Sequence, residues 1–443
     1  MARRSNWTLA AFSGPCLPYA ALGLPLAVTL LYYYDKYIGL STVAVGAAFS
    51  TVRLIDIFFD PIVGWGMDRT RNRWGPYRTW ITLGTPFLMV ATWLIFMVEP
   101  GATYGYLFGS LLILYAGFSI CTLAQLAWAS VLSPDYDQRS RIYGWWQSFN
   151  ILGVLIALLI PSVVMKGGFG DFADGVKAMG WFILISLPVT LLINLLFVPE
   201  PRPQAAAPHG GLKAYVELFK RPAVRKLLIA DILLGVAPGI TGALLFYYFE
   251  VIKGFSEAEC QLFMLCYFVA GLVGTPFWSW LATKVGKHRA LQIASVSYAV
   301  LYLGIGLLPA GNFALTAAGL FAAGLPYAAG LLLCRAMMAD IGDEVRLETG
   351  VDRMGLLFSF LSLSTKLGFA ISAVALFILG AVDFEIERGV RNSPESLLTL
   401  QILFLGAPFV ILVISAWVLN RYPLSQQRHA EIRAALEAKG QSV

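Results

Sequence analysis

The chain has 443 residues, of which 58% are apolar and 13% charged, with a net charge of +6 and a mean hydropathy of +0.71. An ordinary soluble domain carries about 25% charged residues. These values therefore exclude a soluble enzyme, a disordered chain and a nucleic-acid binder of the charged type. They indicate a polytopic membrane protein, in which any charge inside an apolar segment needs a physical reason.

The start, Met1-Ala2-Arg3-Arg4, has the look of a basic n-region, but the apolar run from Trp7 to Tyr34 is too long for a signal peptide and no small-residue cleavage site follows. It predicts a retained first transmembrane helix. A crossing helix needs about 20 mostly apolar residues. Splitting the chain at charged or Gly/Pro-rich breaks gives twelve spans, 8–34, 42–66, 79–98, 104–132, 142–165, 178–198, 227–251, 260–283, 290–309, 313–341, 354–380 and 397–419. These are long continuous runs, not short alternating ones, so the expected fold class is an all-α membrane protein of two six-helix bundles and not a barrel. Pro15, Pro18 and Pro25 with Gly14 and Gly23 predict an irregular first helix, and Pro238-Gly239 predicts the same for the seventh.

Lys and Arg concentrate in the loops 68–78, 199–226 and 284–289, on the side of Arg3, Arg4 and the tail with Arg421, Arg428 and Arg433. By the positive-inside rule both termini are cytoplasmic. The expected organisation is an N-terminal bundle over 1–198, a cytoplasmic loop over 199–226, a C-terminal bundle over 227–420 and a cytoplasmic tail over 421–443. The loop opens Pro199-Glu-Pro-Arg-Pro, and Leu212, Tyr215, Val216 and Phe219 predict a short interfacial helix at its end. The halves repeat weakly. Pro61-x-x-x-Trp65 and Pro276-x-x-x-Trp280 each end a span before a basic loop, and Gln147-Ser148-Phe149 matches Phe358-Ser359-Phe360. Two parallel six-helix repeats are the pattern of the major facilitator architecture. Cys16, Cys121, Cys260, Cys266 and Cys334 show no paired spacing, and three His make no expected ligand cluster.

Few charges remain inside the spans. Arg53, Asp56 and Asp60 share one face of the second span at i, i+3 and i+7. Each charge facing lipid would cost roughly 2.5–3.5 kcal/mol, so the trio must face protein or a polar cavity. It is either a structural salt-bridge cluster or a place to hold a cation or proton. Lys366 lies midway through the eleventh span and Arg335 in the tenth, each a snorkelling or solute-binding charge. Lys366 can also pair with the acidic trio across the halves. Asp231 reads as an end-of-helix charge of the seventh span. Thr122 and Gln125, near Trp128 in the fourth span, and Gln147 and Asn150 in the fifth, are polar helix contacts or solute ligands. Tyr19, Trp128, Trp145, Trp146 and Tyr327 are stacking surfaces or interfacial residues.

The run Arg53-Leu-Ile-Asp56-Ile-Phe-Phe-Asp60-Pro61-Ile-Val-Gly64-Trp65, followed by Asp68-Arg69-Thr70-Arg71-Asn72-Arg73-Trp74-Gly75, resembles the glycoside–pentoside–hexuronide:cation symporters of the major facilitator superfamily. Tyr32-Tyr33-Tyr34, Gly39-Leu40-Ser41, Ala339-Asp340-Ile341 and Lys366 are similar to that family too. The resemblance implies alternating access and Na+- or H+-driven uptake. It implies cation ligation by Asp56, Asp60 and Thr122, with Arg53 and Lys366 beside them. Two departures stand out. The family's cation-site Asn corresponds to Phe59. The sugar-binding carboxylates, arginine and tryptophan of its galactoside carriers fall at about Ala20, Gln125, Gln147 and Leu331.

The expected function is thus cation-coupled symport of a small organic solute, most simply a sugar, glycoside or sugar acid. The expected solute contacts are Tyr19, Gln125, Trp128, Gln147, Asn150, Tyr327, Arg335 and Lys366. A lysolipid symporter sharing the second-span motif is the first alternative, and a non-transporting receptor or assembly factor the second. Nothing in the sequence forms a nucleophile–base pair or phosphate loop, so no enzyme and no cofactor are expected. The expected partners are the solute, the coupling cation and the bilayer of the inner membrane, with no nucleic acid, for a monomeric protein.

Overall fold

A computed structural model describes residues 5–70, 73–132, 136–200, 216–350, 353–385 and 392–438, and among these the regular structure is helical, with no strand. Among the described residues, eleven helices are long and apolar enough to cross a membrane. The remaining crossing is the first, which the structure divides into Asn6–Ser13, Cys16–Ala27 and Thr29–Lys36. The fold is therefore an all-α membrane protein with the spans that the apolar runs predict.

The breaks in the first span follow from its prolines. Pro15 has no N–H to continue the ladder, and the helix stops at Ser13 and restarts at Cys16. The Phe12 carbonyl accepts instead from the side-chain amides of Gln125 at 2.5 Å and Asn194 at 3.0 Å. The seventh span differs from its expectation. Pro222–Tyr247 runs as one helix through Pro238, as other spans do through Pro86, Pro161, Pro188 and Pro276. Neighbouring packing satisfies the freed groups in such helices. The irregular turn lies further on, a π-helical turn over Tyr248–Ile252. The tenth, eleventh and twelfth spans are also interrupted. Phe313–Gly324 is followed by Tyr327–Thr349, Met354–Ser372 by Val374–Gly380, and Pro394–Gln401 by a π turn before Ala407–Val418.

Local chemistry sets the boundaries. Ser41 caps the second span, Thr42–Arg69, by accepting from Ala44 N, and Asp171 and Asp174 form a capping box on Phe172–Phe197. Gly75 at φ +102° precedes the third span, Pro76–Phe96, and Gly286 at φ +88° precedes the ninth, Lys287–Gly304. Both positions follow a basic loop and need glycine's left-handed freedom, so the repeat extends to the turn geometry. Of the expected interfacial helix, 216–219 are helical, while Leu212 and Tyr215 lie outside the described residues.

The chain divides into two compact units. The first comprises Met1–Ala206, Ser256–Leu262 and Leu376–Ser393, and the second Ala207–Phe255, Phe263–Ala375 and Pro394–Val443. One core of the first unit gathers Phe12, Ile81, Trp128, Ile142 and Val198. A core of the second gathers Leu227, Leu291, Met338 and Leu357, together with Ile432 and Leu436 of the tail helix Gln426–Ala438.

Candidate functional site

The charged face of the second span meets the fourth span, Tyr104–Leu132, in register. Arg53 Nε donates to the Tyr115 hydroxyl at 2.9 Å, and one turn on Ser119 Oγ donates to Asp56 Oδ1 at 2.6 Å. The paired positions differ by 62 and 63 residues, so the two helices run parallel. From that contact Thr122 lies about 4.5 Å further along the fourth span and Asp60 about 6 Å along the second. The pair thus stands at a common level, one turn beyond Asp56 and Ser119. The Thr122 hydroxyl proton is used on the Phe118 carbonyl at 2.7 Å, which leaves its oxygen lone pairs to accept or coordinate.

Arg53 and Asp56 are both 6% exposed, and Asp60 is half-buried. Arg53 Nη2 also donates to the Leu26 carbonyl at 2.9 Å, just before the second break of the first span. With both carboxylates ionised, the trio keeps one net negative charge. Such a set matches a single monovalent cation or proton, supplied with two carboxylates and two hydroxyls of hard-oxygen character. Phe59 is half-buried against the first unit's core and contributes no oxygen.

The sequence-predicted solute residues separate into two groups. Gln125 and Trp128 are 1% and 0% exposed. Gln125 Nε2 donates to the Phe12 carbonyl, and Trp128 Nε1 donates to the Pro199 carbonyl at 3.3 Å, its ring edge-on to Phe12 and under Arg78. In this structure both side chains pack at the break of the first span. Tyr19 is also buried, edge-on to Phe118. Gln147 is exposed. Asn150 is half-buried and donates to the Trp146 carbonyl at 2.8 Å. In the second unit Tyr327 is half-buried against Tyr267 and Phe268, Arg335 is exposed and Lys366 half-buried.

Three features escaped the sequence reading. Tyr115 and Ser119 complete the acidic site, and their spacing of i, i+4 and i+7 with Thr122 was the available signal. Asp231 is no end-of-helix charge, because its helix starts at Pro222 and places it about 13 Å inside. Asp340, Asp343 and His429 do converge, with ligand atoms within 4.8 Å of one another. Lys287 Nζ already holds Asp340 at 2.5 Å, and His429 Nε2 lies 2.9 Å from Asp343. That arrangement reads as an ion-pair network tying the tail helix to the tenth span.

The profile of the family described as MFS/sugar transport protein matches residues 11–426. The chain belongs to this family. Its members are transporters, and this chain is a multi-pass membrane transporter and not an enzyme. Among similar proteins, the putative glycoside/cation symporter YagG of Escherichia coli is 25% identical over 430 residues, covering 94% of this chain and 92% of that protein. The glucuronide carrier protein homolog of Escherichia coli is 24% identical, covering 92% and 90%. The sodium-dependent lysophosphatidylcholine symporter 1-B of Danio rerio is 22% identical, covering 87% and 80%. The solved structure of the nucleoside transporter NupG superposes with a TM-score of 0.66 at 15% identity, covering 94% of this chain and 100% of that one. That likeness bears on the fold alone.

Proposed function

We propose that this member of the family couples a monovalent cation, Na+ or H+, to symport of a small organic solute by alternating access. The Asp56–Ser119 contact carries the reading. It fixes the second and fourth spans in the register that aligns Asp60 with Thr122, and so builds one oxygen-rich, singly negative site in a low-dielectric setting. Two carboxylates and one guanidinium on one buried helix face are costly to place in a membrane, and binding a cation or proton gives that cost a use. Arg53, anchored on Tyr115 and Leu26, lowers the local negative charge enough for one cation to suffice. In the second unit, Lys366 supplies a positive charge for solute oxygens.

The substrate class is a sugar, glycoside or sugar acid. Of the residues expected to contact it, Gln147 and Arg335 are exposed, and Asn150, Tyr327 and Lys366 are half-buried. The distribution of Lys and Arg supports cytoplasmic termini in a plasma (inner) membrane. The deciding experiment is uptake into vesicles across a panel of sugars, glycosides and hexuronates, with Na+ and proton gradients imposed separately. Asp56→Asn and Asp60→Asn each abolish gradient-driven accumulation; intact accumulation in both overturns the coupling assignment.

A lysolipid is the second reading. The family's sugar-binding charges are replaced at Ala20, Gln125 and Gln147, and relatives named as lysophosphatidylcholine symporters align over most of the chain. Competition of uptake by lysolipids and not by sugars decides in its favour.

A further inference from the structure

The second unit holds a carboxylate that the acidic site of the first does not explain. Asp231, half-buried on the seventh span, hydrogen-bonds with the Ser364 hydroxyl of the eleventh. The two helices are locked there by small residues. Asp231 and Ser364 are separated by 133 positions, as are Gly235 and Gly368 and, two turns on, Gly239 and Ser372. A Cβ on Gly235 would lie 3.4 Å from Gly368 Cα, and one on Gly239 would lie 2.5 Å from the Ser372 side chain. The carboxylate is therefore held at a fixed depth by a close parallel pair.

The hydrogen atoms at this contact can be counted. Ser364 Oγ lies 3.0 Å from the Leu361 carbonyl as well as against Asp231. A hydroxyl has one proton and two lone pairs. With Asp231 ionised, the Ser364 proton goes to the carboxylate and the Leu361 contact holds none. With Asp231 protonated, the acid O–H donates to Ser364 and the Ser364 proton goes to Leu361, so both contacts are made. The same atoms thus serve both charge states by turning one O–H bond. The other groups around the carboxylate are Cys334 and Arg335 of the tenth span and Thr365 of the eleventh, with Lys366 next along the chain. Arg335 is near enough to act on the Asp231 charge, yet among the described contacts the two make no direct ion pair.

We propose that Asp231 is a proton-binding site of the second unit, separate from the Asp56–Asp60 pair, and that its charge state sets the hold on the neighbouring Arg335. Uptake of one proton converts the carboxylate to a carboxylic acid that donates to Ser364, and Arg335 then loses its nearby counter-charge and is free for an anionic group. The site needs no second cation and takes no part in the register of the first unit.

The test uses the whole protein in lipid, without any solute. Infrared difference spectra are recorded over a pH titration, following the C=O stretch of a protonated carboxyl group. Wild-type protein shows a titrating band that Asp231→Asn removes. Ser364→Ala, which takes away the acceptor of the acid proton, shifts the band's frequency. Arg335→Gln preserves the band to higher pH, whereas Arg335→Lys restores the wild-type titration. A spectrum unchanged by D231N, or unchanged by both S364A and R335Q, overturns the proposal. Because the readout is independent of transport, its failure leaves the symport reading standing, and failure of D56N or D60N to stop accumulation leaves this one standing.

Discussion

Ser119 donates to Asp56 across the second and fourth spans, at 2.6 Å in a buried setting. A hydrogen bond to a charged group is worth about 1.5–3 kcal/mol, and each pKa unit corresponds to about 1.36 kcal/mol. Ser119→Ala is therefore expected to favour the protonated form of Asp56. If protons are the coupling ion, the site fills at higher pH; if Na+ is, protons compete at higher pH. The alkaline limb of the pH–uptake profile in the first case, and the acidic limb in the second, moves to higher pH by about one to two units, and Ser119→Thr restores it. A profile that does not move removes Ser119 from the site.

The two carboxylates of this site were visible in the sequence because a charge in an apolar run is conspicuous, whereas Ser119 and Tyr115 resemble any small or aromatic residue of a membrane helix. Only the parallel register identifies them. Gln125 and Trp128 show the complementary case. An amide in a membrane helix invites a functional reading, but Pro15 breaks the first span and the Phe12 carbonyl next to the break takes the Gln125 amide. Asp231 was misplaced because Ala223 to Lys226 read as loop, while Pro222, pre-organised for a first helical turn, starts the helix earlier. The twelve crossings and the irregular first helix were legible from hydropathy and proline placement alone.

Glu257 gathers an unusual number of donors. Tyr32 and Tyr37 both donate to it at 2.7 Å or less, and Lys36 Nζ stands 2.9 Å away, with the Lys36 and Glu257 side chains each 12% exposed. Lys36 also donates to the Tyr32 hydroxyl at 2.6 Å. Removing one partner of a buried pair strands the other and costs about 3–5 kcal/mol, whereas replacing both with apolar side chains is often close to neutral. Glu257→Ala is thus expected to lower the thermal midpoint of the detergent-solubilised protein markedly, and the double variant Lys36→Met with Glu257→Met to recover most of the loss. Additive losses in the double variant would show that the hydrogen bonds, not the stranded charge, carry the effect.

Glu200 supplies a pH dependence of known sign. Its oxygens accept from Tyr77 N and Arg78 N at 3.0 Å, capping the helix that starts at Pro76, and Arg78 reaches the Val198 carbonyl beside it. Burial raises the Glu200 carboxyl above its ordinary range, and those backbone donors and the Arg78 charge offset part of that rise. The folded protein therefore holds this proton more tightly than the unfolded chain. Its contribution is fully present below the ordinary glutamate value, falls as pH rises to the raised value, and is flat above it. The wild-type minus Glu200→Gln difference in thermal midpoint is expected to decline with rising pH across that acidic window only. A difference that rises with pH would mean that the capping bonds outweigh burial.

Gly153 of the fifth span, Tyr136–Lys166, lies against the first span where the latter has restarted after its break. A Cβ there would sit 2.2 Å from the Leu17 carbonyl oxygen and 3.1 Å from Leu17 Cα. The obstruction is backbone, which has no rotamer to swing away, so the two helices must separate. Overpacking of this kind costs about 1–3 kcal/mol. Gly64 is the control, for a Cβ there meets nothing within 4 Å, and alanine in a helix interior is favoured over glycine by roughly 0.5–1 kcal/mol. Gly153→Ala should therefore lower the thermal midpoint while Gly64→Ala leaves it unchanged or raises it. The same substitution made in the second unit at Gly368, whose Cβ would lie 3.0 Å from the Ile232 carbonyl oxygen, should lower it by less than Gly153→Ala. Equal losses at Gly153 and Gly64 would mean that intrinsic helix propensity, not the close approach of the first and fifth spans, governs these sites.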